Sequence, residues 1–374
     1  MTELIPITLT SIVLSLLYHR ASEYDPIRCR YGRKDFVFYA ILSVAMILFC
    51  GLRTGYNDTG TYQYIYNSIP QNTDIMRDVN WLKLGENPGF TFTNNVLVRL
   101  GFSTQSFLMF YAVITVGLNL WFFRKYSRNF PVSIFLFVAY AGYIFTLAAI
   151  KQCMAMALCL LATDRALRKR WIPFVFWVLV ASTYHPYALM YLIVPFLMFR
   201  PWSGRTYLML LAFAVVGVAM QSLLGTVLSI TDMLGENYDA SSFSGEGINP
   251  FRLAVTSVPV LVSLVTRHVI QQEDDPEQNL MLNLTMLNAE IMFVALFGTA
   301  NYFGRLANYF LPFQAVSLPW LFTHFEPRSK RFITSVAMVC YGLYLVYSQM
   351  FHESFDHHFY STTLLEYLKS LLLG

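Results

Sequence analysis

Charge is scarce in this chain. Asp, Glu, Lys and Arg make up 13% of its 374 residues, about half the share of a typical water-soluble domain. Cysteine is scarce too. Cys29, Cys50, Cys153, Cys159 and Cys340 show neither a Cys-x-x-Cys pair nor a Cys/His zinc spacing, which argues against a disulfide framework and a structural zinc site. P-loop, GxGxxG and GxSxG motifs are missing from any fitting context, so nucleotide, dinucleotide and serine-hydrolase chemistry lack their usual scaffolds. The start, "MTELIPITLTSIVLSLLYHR", has no basic n-region or small-residue cleavage site and reads as a retained helix. What is abundant is apolar: 56% of residues, a mean hydropathy of +0.48 and 17% aromatics. The composition predicts an all-α polytopic membrane protein, to which bilayer rules apply.

Apolar runs near 4–18, 35–52, 106–123, 131–147, 149–163, 171–185, 187–199, 206–229, 252–266, 281–300, 305–323 and 332–350 predict about twelve spans. Eighteen of the 26 Lys and Arg fall in the segments 19–34, 124–128, 164–170, 200–205, Arg267 and 328–331. With twelve spans all of these lie on one side, the inner one by the positive-inside rule, and both termini lie outside. The whole chain, 1–374, then reads as one transmembrane domain. Its outer parts are a first loop (about 53–105) with short re-entrant or amphipathic segments, an acidic loop (about 230–251) and a tail (about 351–374). Residues 171–199 must form a hairpin with limbs of about 14 residues, roughly 21 Å each, which places the turn at His185-Pro186 below the outer surface.

Of the remaining cations, Arg53, Lys151, Arg252 and Arg305 sit at outer span ends or an outer hairpin turn. Cations at that depth snorkel to the interface or face a cavity or partner. Four at one level point to a pocket for phosphate or pyrophosphate oxygens. Arg305 is the clearest, because Asn301, Asn308 and Tyr309 share its helical face in "NYFGRLANYF". In "GLRTGYNDTGTYQYIY", Asp58 suits a general base, and equally a partner for Arg53 or a turn-forming residue. His185 is the other base candidate, or a helix-end histidine before Pro186. Gln152 would add an amide beside Lys151. Tyr56, Tyr62, Tyr64 and Tyr66 suit sugar-stacking walls, although interfaces enrich tyrosine in any case. The acids Asp232, Glu236, Asp239 and Glu246 read as solvated charges or a gate. The tail stretch "HESFDHHF" lacks the helical spacing of a metal site, so no metal is expected.

Five pieces carry a resemblance in their order and spacing: "GLRTGYNDTGTYQYIY", "ENPGFTFTNNVLVRLGFSTQSF", "IKQCMAMAL", "STYHPYALMYL" and "GRLANYFLPF". Together they resemble the EpsG-like family of bacterial exopolysaccharide and O-antigen polymerases, broadly Wzy-type, over most of residues 35–325. Lys151 stands where that family often has Arg, and the Tyr expected after the acid is displaced to Tyr62. The resemblance implies an inverting glycosyltransferase at the outer face of the bacterial inner membrane. It would join undecaprenyl-pyrophosphate-linked repeat units without nucleotide or metal cofactor. Asp58 or His185 would be the base, and Arg53, Lys151, Arg252 and Arg305 would hold the pyrophosphate. Tyr56, Tyr62, Gln152, Asn301 and Tyr309 would contact the glycan. Implied partners are lipid-linked oligosaccharides, membrane lipid, and flippase and chain-length regulator proteins; nucleic acid is not among them. A lipid-linked oligosaccharide flippase would share the cationic cavity but call for inverted repeats, and none is evident. An O-antigen ligase is the nearest enzymatic alternative.

Overall fold

The computed structural model describes residues 4–21, 24–25, 30–31, 36–233, 248–297, 300–348 and 359–373. Most of the acidic loop, including Glu236, Asp239 and Glu246, and the stretch 351–358 with its histidines lie outside the described residues. So do the side chains of Asp232 and Asn301.

The fold is helical, with two small antiparallel ladders. The first half comprises α1 (Leu4–Ala21), α2 (Phe36–Gly51), α3 (Thr59–Asn67), α4 (Pro88–Arg99), α5 (Thr104–Tyr126), α6 (Phe130–Ala139), α7 (Gly142–Ala148), α8 (Ile150–Leu167) and α9 (Trp171–Tyr184). The second comprises α10 (Gly204–Val218), α11 (Met220–Met233), α12 (Pro250–Val265), α13 (Arg267–Glu273), α14 (Pro276–Val294), α15 (Ala300–Asn308), α16 (Leu311–Leu321), α17 (Pro327–Tyr347) and α18 (Leu364–Leu373). Strand β1 (Tyr24–Asp25) pairs with β2 (Arg30–Tyr31), and β3 (Arg53–Gly55) pairs with β4 (Tyr360–Ser361).

Helix starts follow local capping chemistry. The Ser103 hydroxyl accepts from the Ser106 amide at the head of α5, and Asp275 accepts from the Glu277 and Gln278 amides at the head of α14. Proline follows Asp275 at the first helical position, where its missing N–H costs nothing. Arg124 and Lys125 close α5, at the negative end of its dipole.

The predicted apolar runs form helices, but several are broken. The run 131–147 bends by 52° between α6 and α7, where Ala141 takes a left-handed φ of 61°. The run 305–323 divides at Tyr309-Phe310 into α15 and α16, and the run 206–229 divides at Ala219. The second limb of the 171–199 hairpin is not α-helical. It is a 3₁₀ segment, Pro186–Leu197, with Pro195 inside. At about 2.0 Å per residue it reaches roughly 24 Å, a little beyond α9 at about 21 Å. Among the described residues, α5 alone is long and apolar enough to cross a membrane by itself. The number rises to three if the bent pairs α6–α7 and α12–α13 each count as one span, and shorter apolar helices accompany them. This helical architecture with apolar spans is consistent with a membrane location.

Helices α5, α8, α14 and α16 form the interior, and α14 and α16 are buried on nearly every side. The polar residues of α14 hold irregular backbone in place. Asn283 donates 2.8 Å bonds to the Leu197 and Phe199 carbonyls at the end of the 3₁₀ segment. Asn288 donates to the Ala307 carbonyl near the α15–α16 break and accepts from Gln314. Backbone groups freed by a broken helix need such partners away from water.

On the basic side, cations meet acids. Lys125 and Tyr126 reach Asp164, with Arg168 at 3.3 Å, and Arg128 pairs with Asp275 at 2.6 Å. At the far end, Ile248 donates to the Ala295 carbonyl at 3.0 Å, so the start of α12 and the end of α14 lie level.

Candidate functional site

The segment after α2 turns sharply. Gly51 packs on α5 so closely that a Cβ would stand 2.5 Å from Met109 Sδ. Arg53 follows, and it is buried, with 1% of its surface exposed. Its guanidinium donates to the Cys50 carbonyl at 2.6 Å and to Thr59 Oγ1 at 3.2 Å. Thr59 in turn donates to the Tyr56 carbonyl at 2.6 Å. Arg53 therefore closes α2 and folds the next turn back on itself. The turn carries Asn57 at a left-handed φ of 44° and presents Asp58 at the N-cap of α3.

That turn forms one wall of a cavity of about 620 Å³. Asp58, Asn57, Tyr56 and Tyr62 line it, joined by Asn87 at the head of α4. Lys151 from α8, Arg252 from α12 and Arg305 from α15 line it as well, with His185 between α9 and the 3₁₀ segment. Asp58 is exposed, and its carboxylate makes no capping bond to α3. Among the described residues it forms no ion pair with Arg53.

The cationic wall is held by helix ends. Gln152 donates to the Arg305 carbonyl at 2.6 Å, which ties the first turn of α8 to α15. The Arg252 guanidinium runs past Gly304, where a Cβ would lie 3.8 Å from it, and donates to Asn308 Oδ1 at 3.2 Å. Lys151 Nζ lies 5.7 Å from the Phe90 ring centroid. In contrast to the basic side, Arg252 and Arg305 have no acidic partner among the described residues. Lys151 and Arg305 act electrostatically on His185, so the three groups share one local field. His185 Nδ1 is 2.9 Å from the Tyr309 hydroxyl, and its ring meets Tyr187 edge-on. Burial, and then the Asp58 carboxylate, raise the pKa of the Tyr62 phenol, so Tyr62 stays a neutral hydrogen-bonding group.

The expected site residues divide accordingly. Asp58, His185, Lys151, Arg252, Arg305, Tyr56, Tyr62 and Gln152 come together around the cavity. Arg53 is buried and is not among the cavity-lining residues; its Nε and one terminal nitrogen bond Thr59 and Cys50, so its expected place in the pyrophosphate set is corrected to a structural one. Tyr309 is fully buried, so a direct glycan contact is replaced by its bond to His185. Asn301 lies in α15 but is not among the lining residues described. Sequence reasoning missed Asn57, Asn87, Asn308, Tyr344 and Ser348 as wall residues. For Asn308 a signal existed, since it shares a helical face with Arg305. For Asn87 the only signal was an Asn before a helix-opening Pro, which reads as a cap.

Residues 36–367 of the chain match the family model described as the EpsG family. Neither the curated proteins nor the solved structures contain a match to the chain.

Proposed function

We propose that this chain, which belongs to the EpsG family, is a polysaccharide polymerase. Family membership points to exopolysaccharide biosynthesis, and the finer reading is an inverting glycosyltransferase acting on polyprenyl-pyrophosphate-linked repeat units. The observation that carries it is the single cavity that Asp58 lines together with Lys151, Arg252 and Arg305. Such a cavity suits a reaction in which a hydroxyl loses a proton on one side while a pyrophosphate gains charge on the other.

The terminal hydroxyl of one lipid-linked repeat attacks the anomeric carbon of the other lipid-linked chain. Its proton passes to Asp58, the first choice of base, with His185 the second. As the new C–O bond forms, the bond to pyrophosphate breaks, and its electron pair leaves with the lipid pyrophosphate. Attack opposite the leaving group inverts the anomeric centre. Fixed cations stabilise the leaving group most in the transition state, and Arg252 and Arg305 suit that work because no acid among the described residues neutralises them. The donor's own pyrophosphate supplies the driving force.

The accompanying topology has about twelve spans, both termini outside and the cavity facing the outer side of the bacterial inner membrane. The β3–β4 pairing supports it. It joins the segment after the second span to the tail after the last, which requires an even number of crossings between them. Flippase and chain-length regulator proteins belong to the same proposal as partners.

The test is polymer length in a host deleted for the gene and complemented with D58N or R305A, with expression matched to wild type. Short or absent polymer is expected from both. Full-length polymer from both removes the site. A purified protein that moves lipid-linked repeats between leaflets without extending them would replace the polymerase with a flippase. Transfer of glycan to a lipid A acceptor would replace it with a ligase.

A further inference from the structure

Among the described N-cap residues, five are Asn or Asp. In three of them the side chain does the usual work of that position: Asn129, Asn249 and Asp275 each accept a bond from an amide in the first helical turn. In the other two it does not. Asp58 heads α3 and Asn87 heads α4, and neither side chain makes a capping bond. These two line the cavity.

Asn87 is the more unusual of the pair. It is 8% exposed and takes a left-handed φ of 54°. Its amide nitrogen donates to the Gly85 carbonyl at 3.0 Å, which orients the group. Its Oδ1 is buried with no hydrogen-bond partner among the described residues. An acceptor withdrawn from water and left unpaired is destabilising, and the nearby helix amides that would satisfy it are not used. The position is rigid. Helix α4 is pressed against α9 so tightly that a Cβ at Gly89 would stand 2.1 Å from Thr183 Oγ1. Thr93 and Tyr184 share a 2.7 Å bond one residue before His185.

The lining side chains therefore fall into two sets that differ in hydrogen-bonding sense. One offers side chains that only donate, Lys151, Arg252 and Arg305, and suits phosphate oxygens. The other offers acceptor oxygens from Asp58 and Asn87, and suits groups that donate. We propose that Asn87 and Asp58 form the subsite for the acceptor sugar. Asn87 Oδ1 takes a hydrogen bond from a sugar hydroxyl next to the one whose proton goes to Asp58. The inference rests on the polymerase reading and adds to it a direction: acceptor glycan on the α3–α4 wall, pyrophosphate on the α8–α12–α15 wall. Asn87 is then a specificity-determining residue for the acceptor.

The left-handed backbone supplies a clean variant. Glycine adopts φ near 54° without strain, and α4 does not depend on this side chain for its cap. N87G thus removes the oxygen together with the amide's bond to the Gly85 carbonyl, and N87D lacks that bond too but keeps an oxygen, so the two variants differ in the acceptor alone. Two ligands are titrated against the full chain in nanodiscs. One is the repeat-unit oligosaccharide freed by mild acid from the lipid-linked pool of the native host. The other is undecaprenyl pyrophosphate. Loss of one neutral hydrogen bond predicts a weakening of about fivefold to tenfold. N87G should weaken oligosaccharide binding by that factor and leave undecaprenyl pyrophosphate binding unchanged, and N87D should restore the oligosaccharide to within about twofold of wild type. The inference is overturned if N87G binds the oligosaccharide like wild type, or if it loses both ligands equally. The polymerase reading fails separately. Wild-type protein that binds both ligands but forms no glycosidic bond would sink that reading, and the effect of N87G on oligosaccharide binding would still support the subsite.

Discussion

Arg53, Arg252 and Arg305 show how one side-chain type serves two purposes in this chain. Arg53 is consumed by the fold, since its donors end on Cys50 and Thr59. R53A should therefore lower the thermal midpoint of the detergent-solubilised protein, by roughly 2–3 kcal/mol of stability. It should leave the affinity of the remaining folded fraction for undecaprenyl pyrophosphate unchanged. R305A should do the reverse: an unchanged midpoint, and turnover lower by about 10²–10³, the cost of removing one fixed donor at a developing charge. Reversal of these two outcomes would put the pyrophosphate at Arg53. Tyr309 is a positioning residue that acts through His185. Y309F removes a hydrogen bond worth about 1 kcal/mol. If His185 takes the proton, the pH–rate profile of Y309F should shift relative to wild type; a flat comparison assigns the base to Asp58 alone.

Helix α14 shows what an element can carry at the centre of a membrane-like bundle. Asn283 and Asn288 supply donors to the carbonyls of two irregular segments, the 3₁₀ segment and the α15–α16 junction. N283L would strand the Leu197 and Phe199 carbonyls and should destabilise the protein by about 2 kcal/mol or more, read as a lower midpoint. Glu290 on the same helix is different. It is 5% exposed, lies beside a mostly apolar cavity between α10, α12 and α14, and has no partner for either oxygen among the described residues. An unpaired buried carboxyl is costly, and an apolar residue of similar volume relieves the cost. E290M should raise the midpoint by about 1–3 kcal/mol equivalent. An unchanged or lower midpoint would mean that the carboxyl has a partner in the membrane.

At the scale of the whole molecule, the tail packs against the segment that leads into the site. Strand β4 pairs with β3, Phe359 stacks on Phe49 with ring centroids 4.6 Å apart, and Thr362 donates to the Leu52 carbonyl at 2.9 Å. The Tyr360 ring packs over Gly55, three residues before Asp58. The last and the first parts of the family-matched region are thereby joined just before the turn that carries Asp58. The proposed topology makes a separable prediction. Single cysteines at Lys83 and Lys369 should react with an impermeant thiol reagent from the outer side of the membrane. Cysteines at Arg168 and Arg328 should react only after permeabilisation. Labelling of Lys83 and Lys369 from opposite sides would break the even count of crossings.

Much of this was legible in the sequence, because it rests on one-dimensional quantities. Hydropathy determined that the chain is helical and apolar, and charge placement separated the basic segments from the few cations elsewhere. Motif order pointed to the family, now matched over residues 36–367. What sequence periodicity could not decide is where a helix breaks and which way a side chain turns. The bends at Ala141 and Tyr309-Phe310, and the 3₁₀ limb after Pro186, depend on partners far along the chain, such as Asn283 and Asn288 for the freed carbonyls. The same holds for the cations. Arg53 and Arg305 read alike as charges at span ends, and only packing shows that Thr59 and Cys50 claim the first and that no acid among the described residues claims the second. Asn87 reads as an ordinary cap until its oxygen is found unbonded at the cavity wall. Chemical type is a property of the residue, but availability to a substrate depends on what else the fold has placed within hydrogen-bonding reach.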